Sequence, residues 1–194
     1  MYETYEPYKY IDAINTKKHI TLIYEEPEWA KILEFRFIYN GIRNNEPSIY
    51  AMHDDVEYIE EEMRNFGIDV DNAKENGLLH IYKIPDPRDS DKPLIERAND
   101  IIQEITYGLS NYRVVCRLIS NIDSVAAFIA NISIEETYHR FFDKLNCKLI
   151  CPYYISEIPQ LIRKEWLVNI LKNHHGVIFA PRFGYGIAFD LNKE

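Results

Sequence analysis

The sequence contains no apolar run approaching the roughly 20 residues that a membrane-spanning helix needs. Basic residues are in the minority: 22 Lys and Arg stand against 31 Asp and Glu, a formal net charge of −9. Nucleic-acid phosphates and anionic membrane surfaces both require clustered Lys and Arg. Neither is therefore an expected partner. Cysteine is scarce and odd in number, with Cys116, Cys147 and Cys151, which fits a reducing compartment better than a disulfide framework. Met1 to Tyr10 has neither the basic start nor the apolar stretch of a signal peptide, so the expected location is the cytoplasm. Two glycine motifs are also missing, G-x-x-x-x-G-K-[ST] and G-x-G-x-x-G, and with them the usual signatures of phosphate-binding loops.

What is present is an ordinary globular composition over 194 residues, 46% hydrophobic and 27% charged. That is enough chain to bury a core without metal or disulfide staples. Residues 1–17 read as an irregular lead-in. After them, short β-rich runs alternate with helical runs. His19 to Tyr24 is an apolar, β-branched strand. Pro27 stands at a first helical position, with Trp29, Ile32, Leu33 and Phe37 at helical spacing and Asn44-Asn45 as the stop. Ser48 to Met52 is the second strand. Asp54 or Asp55 caps a helix with Val56, Ile59, Met63 and Phe66 inside and Gly67 at its end. A polar stretch, 68–77, leads to a third strand, Leu78 to Ile84, and then to a helix from Asp91 and Pro93 to Leu109.

Arg113 to Ile119 is the fourth strand. A short helix is expected around 123–130. Ser133-Ile134-Glu135-Glu136 then reads as a capping box that opens a separate helix. Cys147 to Tyr154 is the fifth strand, Pro159 to Asn173 a helix, and the pair 177–180 and 186–191 a closing hairpin. Such alternation predicts an α/β fold of three αβα layers, with a mostly parallel central sheet and a C-terminal β-hairpin. No repeat or linker divides the chain, so one domain over 1–194 is expected.

Open α/β sheets bind ligands at the carboxyl ends of their strands. This rule points to Tyr24 and Glu25 after strand one, His53 after strand two, Asn121 after strand four, and Cys151 and Tyr153 in strand five. Tyrosines there would wall an apolar cavity, while His53 and Asn121 supply the few polar contacts that orient a ligand. The phosphate-loop position itself reads Tyr24-Glu25-Glu26-Pro27-Glu28-Trp29. Three glutamates at a helix N-terminus suit the helix dipole but repel a triphosphate. Ordinary ATP hydrolysis is not expected there.

No metal and no cofactor are assigned. Cys147 and Cys151 share a strand face but lie about 13 Å apart along it, too far for one zinc unless the chain bends at Pro152. The pair His174-His175 suits a helix C-terminus. An enzyme built on Cys151 and His174 is a third-ranked alternative, because a reactive thiol needs a neighbouring base.

Several segments taken together resemble the MEDS domain, the sensory domain of methanogen and methylotroph regulators. They are His19 to Glu25 and Gly41 to Glu46, then Glu136 to Leu145 with Leu149-Ile150-Cys151-Pro152-Tyr153, and Ile170 to His174 before an apolar strand. The resemblance spans roughly residues 17 to 191. It implies a RecA/KaiC-like core with a degenerate phosphate loop that acts as a non-catalytic sensor of a small organic molecule. His19, Cys151, Tyr153 and His174 fall on the family's recurring positions. The chain departs where His175 stands in place of the proline expected after the histidine. It also leaves no room for a kinase or DNA-binding module, so the expected output runs through a signalling partner or a homo-oligomer. The alternative is an inactive regulatory or interaction subunit that assembles with itself or with an active ATPase.

Overall fold

The computed structural model describes residues 3–191. Seven strands form one sheet in the order β3-β2-β4-β5-β1-β6-β7. They are β1 (Lys18–Tyr24), β2 (Ser48–Met52), β3 (Leu79–Lys83), β4 (Tyr112–Cys116), β5 (Cys147–Tyr154), β6 (Gly176–Arg182) and β7 (Tyr185–Asp190). Every neighbouring pair is parallel except β6 and β7, which form the antiparallel closing hairpin. The helices are α1 (Pro7–Ala13), α2 (Pro27–Arg43), α3 (Val56–Phe66), α4 (Val70–Glu75), α5 (Leu94–Thr106), α6 (Val125–Phe141) and α7 (Gln160–Lys172).

Two cores lie on the two faces of the sheet. Side chains of α1, α2, α3 and α4 pack on one face with Ile20, Leu22, Tyr50, Val115 and Ile150. Side chains of α5, α6 and α7 pack on the other with Ile23, Val114, Cys147, Cys151 and Tyr153. The period-two alternation of β4 and β5 thus feeds both cores, as a sheet covered on both sides requires. All five residues of β2 and of β4 are buried. The expected three-layer α/β architecture is what forms.

Local chemistry sets most boundaries. The Asp55 carboxylate accepts from the Glu57 N–H at the start of α3, and Gly67 ends that helix in the left-handed region with φ 102°. Three expectations need correction. Residues 1–17 are not an irregular lead-in: α1 forms with Pro7 in its first turn, and the Tyr5 N–H donates to the Ala188 carbonyl at 2.8 Å. Met1 and Tyr2 lie outside the described residues. The polar stretch 68–77 contains α4, capped by Asp69, whose carboxylate accepts from the Asn72 N–H.

The third correction is α6, a single helix capped by Ser124 rather than two helices with a break at Ser133. Ser133 stands in the middle of this unbroken helix, where its carbonyl accepts from the Thr137 hydroxyl at 2.7 Å. Among the described residues, no helix is long and apolar enough to cross a membrane.

Candidate functional site

Four buried side chains from separate elements meet beneath the sheet. His19 is the second residue of β1, and Cys151 faces the same way from β5. The parallel register pairs His19 with Leu149 and Thr21 with Cys151, so the imidazole and the thiol lie one step apart across the ladder. Glu135 points inward from α6, and His174 follows the end of α7 just before β6. His19 and His174 are 0% exposed, Cys151 5% and Glu135 6%. The placement of β1 owes something to His175: its N–H donates to the His19 carbonyl at 2.6 Å, and its Nδ1 accepts from the His19 N–H at 3.1 Å. In this way His175 fixes the adjacent His174 against β1.

His19 Nε2 lies 3.2 Å from Cys151 Sγ and 3.4 Å from Glu135 Oε2. His174 Nε2 lies 3.5 Å from the same carboxyl oxygen. One atom from each residue falls within 4.8 Å of all the others. His174 Nδ1 donates to the Ile170 carbonyl at 2.7 Å, which leaves Nε2 of the neutral ring as the atom with a lone pair.

The other carboxyl oxygen, Glu135 Oε1, accepts from the Tyr153 hydroxyl. The Tyr153 hydroxyl oxygen accepts in turn from Asn131 Nδ2 at 3.0 Å, and Asn131 Oδ1 accepts from the Trp166 indole at 3.1 Å. Indole nitrogen is only a donor, so every role in this chain is fixed from Trp166 through to Glu135. Burial pushes the Glu135 carboxyl up to about 7, against the Tyr153 hydrogen bond, which favours the carboxylate. Burial, together with the nearby Glu135, drives the Cys151 thiol well above its ordinary range.

The cluster forms one wall of a cavity of about 40 Å³ between the sheet and helices α5 and α6. Ile102, Val114, Leu118, Ile134 and Leu149 give it a largely apolar lining, joined by the thiols of Cys116 and Cys147. The space suits a molecule of a few heavy atoms.

The residues expected from the sequence divide among several places. Cys151 and Tyr153, together with His19 and His174, are brought into the buried cluster. Tyr24 and Glu25 instead line a groove of about 100 Å³ at the carboxyl end of β1, with Phe179 and Pro181, where Tyr24 stacks on Tyr154 at 5.6 Å. His53 Nδ1 donates to the Ile84 carbonyl at 3.0 Å. Asn121 is exposed and accepts from Arg88 at 3.1 Å. Arg88 is itself held by Asp86, which also accepts from the Ser120 N–H. His53 and Asn121 thus belong to loop-tying contacts and not to the cluster.

Glu135, Asn131 and Trp166 went unrecognised in the sequence. The available signal was the spacing of Asn131, Glu135 and Tyr138 at i, i+4 and i+7 in an otherwise apolar helical stretch, which places polar groups on a buried face. At the phosphate-loop position, the Phe183 N–H donates to Glu26 Oε2 at 2.8 Å, and Trp29 packs on Phe183 at 5.1 Å. The β6–β7 turn therefore lies across the start of α2.

Comparison with protein families matches residues 18–175 to MEDS, the methanogen/methylotroph, DcmR sensory domain. Comparison with curated proteins finds no match. Among solved structures, a KaiC-like protein from the hyperthermophilic archaeon Pyrococcus horikoshii aligns over 84% of this chain and 70% of that one. The TM-score is 0.55 at 15% identity, a likeness of fold.

Proposed function

Because the chain belongs to the MEDS family of sensory domains, we propose that it is a non-catalytic signal-transduction domain that binds a small organic molecule in the cavity beneath β4 and β5. The observation that carries this reading is the pairing of an apolar cavity with one polar wall. Apolar lining selects for hydrocarbon character, and His19, Glu135 and Cys151 offer a single polar group something to meet. A volume of about 40 Å³ restricts the ligand to a short-chain compound. Occupancy would be passed on through α6, whose inner face supplies Asn131, Ile134 and Glu135 to the cavity wall, to a signalling partner or a second copy of the chain.

A second reading places the ligand in the groove at the carboxyl end of β1, where Tyr24 and Glu25 lie. Methyl-labelled protein titrated with short-chain alcohols, thiols and haloalkanes separates the two. Saturable shifts at Ile134 and Leu149, abolished by Val114→Phe, support the buried cavity. Shifts confined to Ile23 and Ile155 move the site to the strand ends. No saturable response at either place overturns the ligand-binding reading and favours an interaction subunit, for which the likeness to a KaiC-like fold is the support.

A further inference from the structure

We propose that His19 Nε2, Glu135 Oε2, Cys151 Sγ and His174 Nε2 form a closed tetrahedral site for one divalent transition-metal ion of the zinc class. The inference goes beyond ligand sensing and does not depend on it.

Geometry comes first. Zinc bonds of about 2.0–2.1 Å to nitrogen, 2.0–2.2 Å to oxygen and 2.3 Å to sulfur give a tetrahedron with edges of roughly 3.3–3.6 Å. The three measured edges are 3.2 Å, 3.4 Å and 3.5 Å. The remaining pairs lie within 4.8 Å, so small side-chain rotations close the figure. Donor type comes second. Thiolate and imidazole disfavour magnesium and calcium, which take oxygen ligands, and suit zinc, cobalt or ferrous iron.

Charge comes third. Two positive charges are balanced by one thiolate and one carboxylate, and the two imidazoles bind as neutral rings. The buried site is then neutral overall, which removes the main cost of placing an ion there. The thiol proton leaves to solvent when the sulfur binds.

The surroundings are those of a metal centre. Ligating histidines nearly always donate their second ring N–H to a carbonyl or carboxylate. His174 does so to Ile170. The chain from Trp166 through Asn131 and Tyr153 occupies Glu135 Oε1 and leaves Oε2 turned toward both imidazoles. Four protein donors saturate a tetrahedron, so the ion is structural. It ties β1, β5, α6 and the turn before β6 at one point. Since three of the donors also line the cavity, that wall is held rigid where a ligand would press on it.

The test uses the full chain, purified reduced and metal-free, then titrated with cobalt(II). The expected result is one cobalt per chain, with the intense visible bands of tetrahedral cobalt and an ultraviolet thiolate-to-cobalt charge-transfer band. One equivalent of zinc erases both and raises the thermal midpoint. Cys151→Ser loses the charge-transfer band, and His174→Gln weakens cobalt binding at least 100-fold, while His53→Gln matches wild type. Should either cluster variant fail to fold, the Cys116→Ala/Cys147→Ala double variant decides, because Cys151 is then the sole thiol and must carry the band. No stoichiometric cobalt, octahedral spectra without charge transfer, or loss of the band in that double variant overturns the proposal. Organic probes that leave the methyl spectrum unchanged while cobalt still binds count against the sensing reading alone.

Discussion

Two buried polar clusters sit on opposite faces of the same sheet, and they solve the problem of burial differently. On the face of α1 and α2, Glu46 accepts from Arg113 of β4 at 2.7 Å and from Lys148 of β5 at 2.8 Å. Arg113 is 2% exposed and Lys148 3%. On the face of α5 and α6, His19, Glu135, Cys151 and His174 meet at comparable depth. That group has one carboxyl, one thiol and two imidazoles, with no lysine or arginine among the four.

Burial raises both acids, with opposite net results. The Lys148 and Arg113 hydrogen bonds overcome it and pull Glu46 below the usual carboxylate range. Glu135 has the Tyr153 hydroxyl but no such cations and rises to about 7. The lesson is that one cluster brings its own positive charge in covalent form, while the other carries none and, as the proposed metal site, would draw its cation from solution.

The largest expected effect breaks the first cluster. Glu46→Ala leaves Arg113 and Lys148 buried without their shared counter-charge, which should cost about 3–5 kcal/mol in urea unfolding. Glu135→Gln in metal-free protein at pH 6 should cost about 1 kcal/mol or less, because Gln keeps the acceptor for Tyr153 and leaves no buried lysine or arginine without its counter-charge. Equal losses from the two substitutions would remove the distinction between the clusters.

Next in size is the pH dependence of Glu34, a third buried acid, bonded to the Tyr50 hydroxyl at 2.7 Å. Burial raises it from 4.5 to about 7, against the Tyr50 hydrogen bond. A folded value above the unfolded one means the native state holds the proton more tightly. The associated stability is fully present below pH 4.5 and lost as pH rises through 7. The fall amounts to about 3 kcal/mol. Glu34→Gln should flatten it, so the variant gains on wild type between those two values. Parallel pH profiles for the two proteins would contradict the assignment.

How far these clusters were legible in the sequence depends on what each residue announces locally. The limits of β2 and β5 follow from short β-rich runs and those of α3 from a capping aspartate and a terminal glycine, all within a few residues. The short helices α1 and α4 complete too few turns to establish a period, although Pro7 and Asp69 mark their starts. Glu135 escapes notice for a different reason. Ser133-x-x-Glu136 satisfies the capping pattern, but the backbone there is already helical, and the true cap is Ser124.

The meeting of His19, Cys151 and His174 depends on the neighbours of β1 in the sheet, which no local pattern supplies. Cys147 and Cys151 drew attention as a pair on one strand, yet the donors that assemble around Cys151 come from three other elements. The strand-end rule that selects Tyr24 and Glu25 leads to the groove they line with Phe179 and Pro181. Here Trp29 and Glu26 hold the β6–β7 turn over the start of α2.

A smaller effect sharpens the metal-centre side of the comparison. Tyr153→Phe removes the donor to Glu135 Oε1 and the acceptor for Asn131 Nδ2. Metal affinity should fall about 10- to 100-fold, the usual cost of losing a group that orients a ligand. The cobalt spectrum should keep its charge-transfer band, because Cys151 still binds. A variant that binds cobalt as tightly as wild type would mean that the chain from Trp166 serves packing alone.

The smallest effect isolates burial from ion pairing as such. Arg64 lies between Glu60 at 3.3 Å and Asp71 at 2.8 Å, so it has as many charged partners as Glu46. Yet its side chain is 43% exposed and that of Asp71 83%. Water solvates these charges whether or not they pair, and salt screens what attraction is left. Arg64→Ala should therefore leave the urea midpoint within experimental scatter, and any residual change should vanish at high ionic strength. The loss from Glu46→Ala should persist there, since counter-ions do not reach Arg113 and Lys148 between the sheet and helices α1 and α2. If Arg64→Ala proved as damaging as Glu46→Ala, or if salt rescued Glu46→Ala, then the number of ion pairs would matter more than their depth, and the contrast between the two faces would fail.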